Sequence, residues 1–316
     1  MKAWRLKVVL TALLVAGAAV TTSTPPAHAT APGSNGRIAF GRYNPDAGDD
    51  AIYTANPDGT GVVQIFAGPA ESPRWSPDGT RLAISCFQND FEFVRNCTMS
   101  PDGSGFVQLL ADPTLNEGAG GWSPDGTRLA FEGWDGVYPE RTPGVFTMRA
   151  ADGGDLRRVT TNPYGGHDIP ADYAPDGSRL LFFRENPPLG RHAVFVVNLD
   201  GSRLRQLTPW GLDAVDPRWA PGGAQIVFAS KGSIFVARPD GTGLVKIYEE
   251  TQHGAAFYPC WSPDGTRILF ARFVVDRGQK TAQEDLYTMK PDGSGITRVT
   301  NTPAFESTPD WGAYTH

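Results

Sequence analysis

The chain has 316 residues, of which 40% are hydrophobic and 11% aromatic, and this apolar content excludes a disordered chain. Its 28 Lys and Arg residues stand against 34 Asp and Glu residues, and this acidic balance argues against a nucleic-acid partner and against adhesion to anionic lipid. Three cysteines are too few for a disulfide scaffold, and a domain of this size does not need one.

The first predicted element is a secretory signal over residues 1–29. Its basic start holds Lys2, Arg5 and Lys7, an apolar run follows, and Ala27-His28-Ala29 offers small residues to a signal peptidase. The apolar run is too short to span a membrane. Removing the signal leaves 25 of the 28 basic residues against 34 acidic ones. We therefore expect a mature chain of residues 30–316 without a membrane span, secreted or retained in the cell envelope.

Two motifs alternate along the rest of the chain. The first is "WSPDGTRLAF" in its fullest form, and its aromatic residue recurs at Trp75, Trp122, Tyr173, Trp219, Trp261 and Trp311. The second is "NPDGTG" at 56, with copies at 100, 150, 198, 238 and 290. Pro, Asp and Gly in this order suit a tight turn between antiparallel strands. Flanks such as "RLAF" and "HAVFVV" are typical of strands, so each period predicts four short strands.

Six four-stranded units with spacings of 42 to 51 residues predict an all-β fold, a six-bladed β-propeller in one domain over residues 30–316. The chain ends on a first strand without partners, "TPDWGAYTH", and begins on a second strand, "NGRIAFGRY". We expect the Trp311 strand to join the N-terminal strands and close the ring, because closure removes two free sheet edges. The repeated aromatic residues should then pack between blades. Four arginines share one offset after the turn and should tie strand ends or neighbouring blades; these are Arg81, Arg128, Arg179 and Arg267.

The motifs "WSPDGTRLAF" and "PDGTG" resemble the repeat of TolB-like six-bladed propellers over nearly all of residues 36–316. This resemblance implies a propeller that binds partner segments at the mouth of its central channel. TolB itself carries a separate N-terminal domain, and here only a few residues separate the predicted signal from the first strand, so we expect the propeller alone. Some exported peptidases carry a similar propeller, but the sequence has no "GxSxG" elbow.

The long connections should lie on the face opposite the Pro-Asp-Gly turns, and loops on a rigid scaffold commonly carry binding residues. Five acids stand four to six residues before a repeated aromatic; these are Glu71, Glu117, Asp168, Asp213 and Glu306. One hypothesis is an acidic collar at the channel mouth that receives a cation or a basic peptide. The other is that each acid caps backbone N–H groups where its loop enters the first strand.

Three aromatic residues in the long connections of the loop face, Trp134, Tyr164 and Trp210, are candidate contact anchors for a partner. They would equally suit a cover over the loop end of the ring. The sequence leaves both interpretations open.

Metal ligands are sparse in the sequence. His167 and His253 fall in equivalent loops, and with Asp168 or Glu117 they would offer mixed nitrogen and oxygen ligands to a transition metal. Ordinary loop histidines are the simpler interpretation. Asn44, Asp46, Asp49 and Asp50 crowd one loop and are candidate calcium ligands, but their spacing misses the EF-hand pattern. We therefore expect no cofactor, with calcium or a transition metal as the alternative.

Two of the three cysteines are predicted to pair, and the third is not. Strand parity places Cys86 and Cys97 on the same side of neighbouring antiparallel strands, and export permits oxidation, so a disulfide is predicted between them. Cys260 precedes Trp261 and is expected to be a buried, unreactive thiol, because no His is placed beside it by sequence.

These features predict a non-catalytic, exported, monomeric propeller that binds a protein or peptide through its loop face and channel mouth. The alternative is an extracellular enzyme, a metal-dependent lyase or a hydrolase acting on glycan or peptide, with its site at the same mouth. An enzyme needs convergent titratable groups in one concave place, and the sequence offers only the two histidines for that role.

Overall fold

A computed structural model describes residues 33–44, 49–88, 93–109, 112, 114–135, 143–250, 254–276 and 281–314. The predicted signal, His253 and Asp46 lie outside these residues. The described chain forms 24 strands and two short 3-10 helices, Pro187–Leu189 and Trp210–Leu212. The all-β prediction is therefore confirmed, and the fold is a β-propeller.

The strands follow one another in sets. The first three are β1 (Asn35–Asn44), β2 (Asp49–Ala55) and β3 (Val63–Phe66). The first sheet contains β4 (Ala70–Trp75), β5 (Leu82–Gln88), β6 (Phe93–Met99) and β7 (Val107–Gln108). The second contains β8 (Leu115–Trp122), β9 (Arg128–Asp135), β10 (Gly144–Arg149) and β11 (Arg157–Arg158). The third contains β12 (Asp168–Tyr173), β13 (Arg179–Asn186), β14 (Arg191–Asn198) and β15 (Arg205–Gln206). The fourth contains β16 (Ala214–Trp219), β17 (Ile226–Ser230), β18 (Ser233–Ala237) and β19 (Val245–Glu249).

The last five strands are β20 (Gly254–Trp261), β21 (Ile268–Asp276), β22 (Thr281–Met289), β23 (Thr297–Arg298) and β24 (Phe305–Ala313). They form an eight-stranded sheet together with β1, β2 and β3. Within this sheet β20–β23 pair antiparallel in order, β24 and β1–β3 do the same, and one parallel pair, Glu284 with Phe305, joins the two sets. Trp311 lies opposite Ile38 in the β24–β1 ladder. The two ends of the described chain therefore meet in one set of strands, as the sequence predicts.

The repeated aromatic residues pack between neighbouring sheets. Trp122 lies in one apolar cluster with Ala83 and Leu109 of the first sheet, and Trp219 packs against Leu181 of the third. Both indoles are at most 5% exposed. Each sheet therefore buries its apolar face against the aromatic residue that its neighbour supplies, as expected of a repeat protein.

The four predicted structural arginines act within and between sheets. Three of them bond a Thr on the next strand: Arg81 with Thr98 (2.7 Å), Arg128 with Thr147 (3.0 Å) and Arg267 with Thr288 (3.2 Å). The fourth, Arg179, lies over the Trp219 ring of the neighbouring sheet, 5.5 Å from its centroid. The same position near the N-terminus is filled by Arg37, which bonds Thr54 at 3.0 Å.

A disulfide joins Cys86 of β5 to Cys97 of β6, with Cα atoms 6.1 Å apart. The two residues are diagonal neighbours, because Cys97 lies directly opposite Ile84 and Cys86 opposite Arg95. Cys260 is a free, buried cysteine.

Loss of this disulfide should destabilise the fold. The bridge spans a sequence separation of 11 residues. Closing a loop of that size lowers the conformational entropy of the unfolded chain, which stabilises the native state by about 3 kcal/mol. We expect reductant to lower the free energy of unfolding of the wild type by up to about that amount, measured by urea denaturation. The double variant Cys86→Ala/Cys97→Ala should already be less stable and should not respond to reductant. A wild-type protein indifferent to reductant would contradict the bridge.

Closure of the ring is testable at Gly59, in the turn between β2 and β3. Its φ is +82°, and a Cβ at this position would lie 1.9 Å from the carbonyl oxygen of Val299, just after β23. Gly59→Ala should therefore lower the free energy of unfolding by about 2 kcal/mol or more, since both the backbone and the contact are strained. Gly222→Ala is the control, because nothing lies within 4 Å of its Cβ position. It should stay within about 1 kcal/mol of wild type. Equal effects of the two variants would argue against this contact.

Candidate functional site

Six strands surround a central channel. One cavity is lined by the C-terminal residues of β4, β8, β12, β16, β20 and β24, the first strands of their sets. In each of these strands the pairing register shifts shortly before the repeated aromatic residue. In four of them the shift coincides with a left-handed residue, φ 48° to 55°, at Ser72, Asp216, Tyr258 and Thr308. Bulges of this kind change the direction in which the following side chains point.

The residue directly before each repeated aromatic lines this channel. In chain order these residues are Arg74, Gly121, Asp172, Arg218, Cys260 and Asp310, and we call them the channel ring. The order Arg, Gly, Asp is followed by Arg, Cys, Asp, so both halves of the ring carry one cation and one anion. The cavity at this level has a volume of about 40 Å³, room for only a few water molecules. The channel ring therefore narrows the channel.

The two aspartates of the channel ring also bind the next sheet. Asp310 accepts a hydrogen bond from the Trp75 backbone N–H at 2.8 Å, and Asp172 accepts one from the Trp219 N–H at 3.1 Å. Arg218 donates to the Ala171 carbonyl at 3.3 Å, and its guanidinium lies 3.8 Å from the Asp310 carboxylate. The channel ring is thus both the lining of the channel and part of the joints between sheets.

Burial controls the titration of the channel ring. It raises the pKa of Asp172 to about 7, against the opposing effect of Arg218. It lowers the pKa of Arg74 to about 10, and repulsion from Arg218 adds to this. It raises the pKa of the Cys260 thiol to about 12, so this cysteine is protonated at neutral pH, in accord with an unreactive thiol.

A wider cleft of about 280 Å³ adjoins the channel ring on the loop side. We call it the mouth cleft; its polar lining comes from Glu71, Ser72, Asp216, Tyr258 and Thr308, with Arg74 and Arg218 shared with the channel ring. Burial raises the pKa of Asp216 to about 6 and also raises the pKa of Glu71, to which the charge of Asp50 contributes. The mouth cleft therefore holds two acids, Glu71 and Asp216, together with the two arginines of the channel ring.

Three of the five predicted collar acids do not lie at the mouth. Glu117, Asp168 and Glu306 are 0% exposed, so no partner reaches their carboxylates. The Asp168 carboxylate accepts two hydrogen bonds of 2.6 Å from Arg184. The Glu306 carboxylate accepts one of 2.7 Å from Arg42. The collar prediction is wrong for these three residues, because a buried carboxylate is held by the protein's own donors.

Glu117 also contacts the loop that precedes its strand. It accepts a hydrogen bond from the Asp112 backbone N–H at 3.4 Å and one from the Asn96 side chain at 3.5 Å. Here the acid does serve the loop that enters its strand, as the second hypothesis has it. Of the other two acids, Glu71 lines the mouth cleft, whereas Asp213 bonds His192 at 3.0 Å beside the helix Trp210–Leu212.

His167 is engaged by a carboxylate. Its Nδ1 contacts Glu132 of the second sheet, and this contact raises the pKa of His167. In the described part of the chain no group of three or more His, Cys, Asp and Glu side chains is placed to hold a metal ion. With His253 and Asp46 outside that part, the metal and calcium hypotheses stay predictions.

The three loop aromatics meet other rings. Trp134 makes an edge contact with His167 (6.2 Å between centroids), and Tyr164 makes one with Trp210 (5.7 Å). Trp210 also packs against Phe195 of the third sheet at 5.7 Å. Trp134 and Trp210 therefore cover the loop ends of their sheets, while Tyr164 is 44% exposed.

The channel ring is the feature that the sequence prediction missed. Its signal is present in the residue pairs that end on each repeated aromatic, which read RW, GW, DY, RW, CW and DW in chain order. Within a repeat that keeps the aromatic nearly constant, this preceding residue varies in charge from copy to copy.

Known proteins share this repeat and this fold. A family model described as the TolB beta propeller domain matches residues 28–234. The chain belongs to the TolB beta propeller domain family. It is 27% identical to the TolB homolog of Chlorobium luteolum over 190 residues, 47% of this chain and 42% of that protein. It is 26% identical to the Tol-Pal system protein TolB of Bordetella pertussis over 240 residues, 62% of this chain and 52% of that protein.

The chain thus spans about half the length of these relatives. Among solved structures, TolB from Acinetobacter baumannii superposes with a TM-score of 0.71 at 18% identity, over 88% of this chain and 67% of that one, which shows the shared fold. Within the described ranges of this family member, no helix has the length and apolar character needed to cross a membrane.

The pKa of Asp172 generates a prediction on stability. Because its folded pKa of about 7 exceeds its ordinary value of 3.8, the native state binds more protons than the unfolded state between these pH values. Stability should therefore fall as pH rises through this window, by up to roughly 1 kcal/mol per pH unit. Asp172→Asn keeps an acceptor for the Trp219 N–H and should reduce this dependence in urea denaturation between pH 4.5 and 7.5. A slope should remain, because Asp216 and Glu284 also have raised pKa values in this window.

The control is Asp200→Asn, at an exposed turn carboxyl whose pKa is lowered by its hydrogen bonds to Ser202. Asp200 titrates below the window, so this variant should keep the wild-type slope. Identical slopes for Asp172→Asn and the wild type would show that Asp172 is ionised throughout the window.

Proposed function

We propose that this protein is an exported, non-catalytic, six-bladed propeller that binds a segment of a partner protein in the mouth cleft. The count of six takes the two antiparallel sets of the eight-stranded sheet as two blades beside the four separate sheets. The observation that carries the proposal is a cleft of about 280 Å³ that ends on the 40 Å³ constriction of the channel ring. A cleft of this shape suits a chain end or a loop tip rather than a segment threaded through the channel.

The charges of the mouth cleft favour a basic segment. Glu71 and Asp216 line the cleft, and Glu284 lies close enough to act on the lining residue Tyr258 by its charge. Neither Glu71 nor Glu284 forms an ion pair with a residue in the described ranges. Burial raises the pKa of Glu284 to about 7, with the charges of Asp50 and Glu306 as further causes. A basic side chain of the partner would relieve this repulsion between acids, and so we propose a Lys or Arg in the bound segment.

Recognition suits the channel groups better than catalysis does. A nucleophilic cysteine acts as its thiolate, and burial holds Cys260 protonated. Burial also raises the pKa of Tyr258, with repulsion from Asp216 as the second cause. His167, the candidate general base among the described residues, does not line the mouth cleft. The enzyme alternative, a lyase or hydrolase at the mouth, is therefore not favoured.

The relatives support a protein partner by analogy. The Bordetella protein is named for the Tol-Pal system, and we extend a protein-binding role to this chain on the strength of the shared family. We further propose that residues 1–29 are removed on export and that the mature protein is a monomer of the envelope or the medium. Mass spectrometry of the mature N-terminus tests the cleavage.

Selection from a random peptide library displayed on phage tests the binding proposal. Peptides selected on the purified mature protein should bind Glu71→Lys about tenfold more weakly, because the variant places a cation against the basic segment. Leu189→Ser is the matched control, since Leu189 is 55% exposed in the 3-10 helix Pro187–Leu189 and does not line the mouth cleft. It should leave binding unchanged. Peptides that bind Glu71→Lys as well as wild type would refute the assignment of the mouth cleft.

A further inference from the structure

A second sizeable cavity lies at the opposite end of the molecule, between the first and second sheets. Its volume is about 550 Å³. We call it the turn-face groove, because its lining residues flank the Pro-Asp-Gly turns rather than the loops. The Trp122 indole lines the groove beside Arg81, Thr98 and Val107 of the first sheet and Ala151 of the second. It shares no residue with the mouth cleft.

Two equivalent grooves between other sheets are smaller. The groove between the second and third sheets has about 250 Å³ and is lined by Arg128, Tyr173 and Leu199. The groove between the third and fourth has about 340 Å³ and is lined by Arg179 and Trp219. An aromatic residue and an arginine therefore recur in each groove as products of the repeat. The extra volume of the turn-face groove needs a cause of its own.

The cause is a departure of the second sheet from the repeat. Its outer turn closes with a hydrogen bond from the Gly153 N–H to the Arg149 carbonyl, four residues back. The third-sheet turn closes over three residues, from Gly201 to Asn198, and so do the other outer turns. The second-sheet turn thus holds one more residue. The position before the turn Asp is Ala151 here, Leu199 in the third sheet, and a proline in the other copies, Pro57, Pro101, Pro239 and Pro291.

The side chain at this position decides how far the groove is filled. Leu199 packs against the apolar cluster that contains Tyr173, and so it occupies the space over that ring. Ala151 carries only a methyl group and leaves the space over Trp122 open to the groove. The volume therefore follows from two neighbouring features of one turn, its added residue and its small side chain.

The electrostatics of the turn-face groove are positive on one wall. Arg81 donates to the Thr98 hydroxyl at 2.7 Å, and it has no ion pair with any residue in the described ranges. Its counterpart Arg128 in the next groove is neutralised by Asp155 at 2.7 Å. Arg149 is paired with Asp152 at 2.8 Å. The turn-face groove therefore presents one uncompensated guanidinium beside an indole and Val107, which is 43% exposed.

We propose that the turn-face groove binds a small organic anion, a molecule with one carboxylate or sulfonate on an apolar body. The anionic group would pair with Arg81, and the apolar body would lie over Trp122 and Val107. The volume falls within the range of small-molecule sites, about 300 to 1,000 Å³. A guanidinium matches the geometry of a carboxylate and binds it in preference to a neutral group. This site is independent of the function proposed for the mouth cleft.

The test uses two probes on the mature protein. An anilinonaphthalene sulfonate dye reports binding by fluorescence, and decanoate and decanol compete for the same place with and without a negative charge. We expect the dye to bind with one equivalent per chain and decanoate to displace it at about tenfold lower concentration than decanol. Ala151→Leu copies the third-sheet residue into the groove and should weaken dye binding about tenfold or more.

Three further variants test whether the preference for an anion comes from Arg81 and from this groove. Arg81→Gln should remove the preference for decanoate and leave decanol unchanged. Arg267→Gln, at the same position of another sheet, should alter neither probe. Glu71→Lys should leave the dye bound, which keeps this test apart from that of the mouth cleft. Circular dichroism and thermal melts verify that each variant is folded, and Val107→Asp offers a second way to disturb the groove should Ala151→Leu be unstable.

Two results would overturn the proposal. Dye binding that is unchanged in folded Ala151→Leu or Val107→Asp would place the dye on another apolar surface. Equal competition by decanoate and decanol in the wild type would leave an apolar groove without selectivity for anions.

Discussion

The antiparallel pairing of β24 with β1 gives a partner to both ends of the described chain. Every sheet buries its apolar face against the aromatic residue of its neighbour, so an open array would leave one face and one edge exposed at each end. The pairing of Trp311 with Ile38 removes both problems at once. An ion pair between the buried Glu306 and the partly exposed Arg42 lies across the same ladder, and the Gly59 turn approaches Val299 next to it. The joint is therefore held by a ladder, a charge pair and a close backbone contact.

Closure also creates the channel and sets its chemistry. It brings six first strands to a common centre, where the residue before each aromatic faces the residues of the other strands. Charges at such close range are tolerated when opposite signs are present, and the channel ring accordingly holds two arginines and two aspartates. The raised pKa of Asp172 and the lowered pKa of Arg74 show that this compensation is incomplete.

The repeat allowed much of the fold to be predicted from the sequence, because its evidence is local. Turn residues indicated where strands end, and strand parity predicted the disulfide between Cys86 and Cys97. The collar failed for a physical reason that spacing does not reveal. A bulge between the acid and the aromatic shifts the parity of the strand, so Asp168 and Glu306 face the interior between sheets instead of the channel. Their partners, Arg184 and Arg42, come from the next strand in the sheet, and only the three-dimensional register places them there.

Departures from the repeat are the more informative part of such a sequence. Where the copies agree, as in the turn Asp residues that bond the following Ser or Thr, the side chains are occupied by the fold itself. Where the copies differ, the fold does not require one particular residue type at that position. The position before the aromatic differs in charge and shapes the channel, and the turn at Ala150 and Ala151 differs in length and opens a groove. The mouth cleft and the turn-face groove lie at opposite ends of the sheets and share no lining residue, while Trp122 lines both the groove and the channel cavity. Each can therefore acquire its own binding role without altering the other, which is how one repeated scaffold can carry two separate sites.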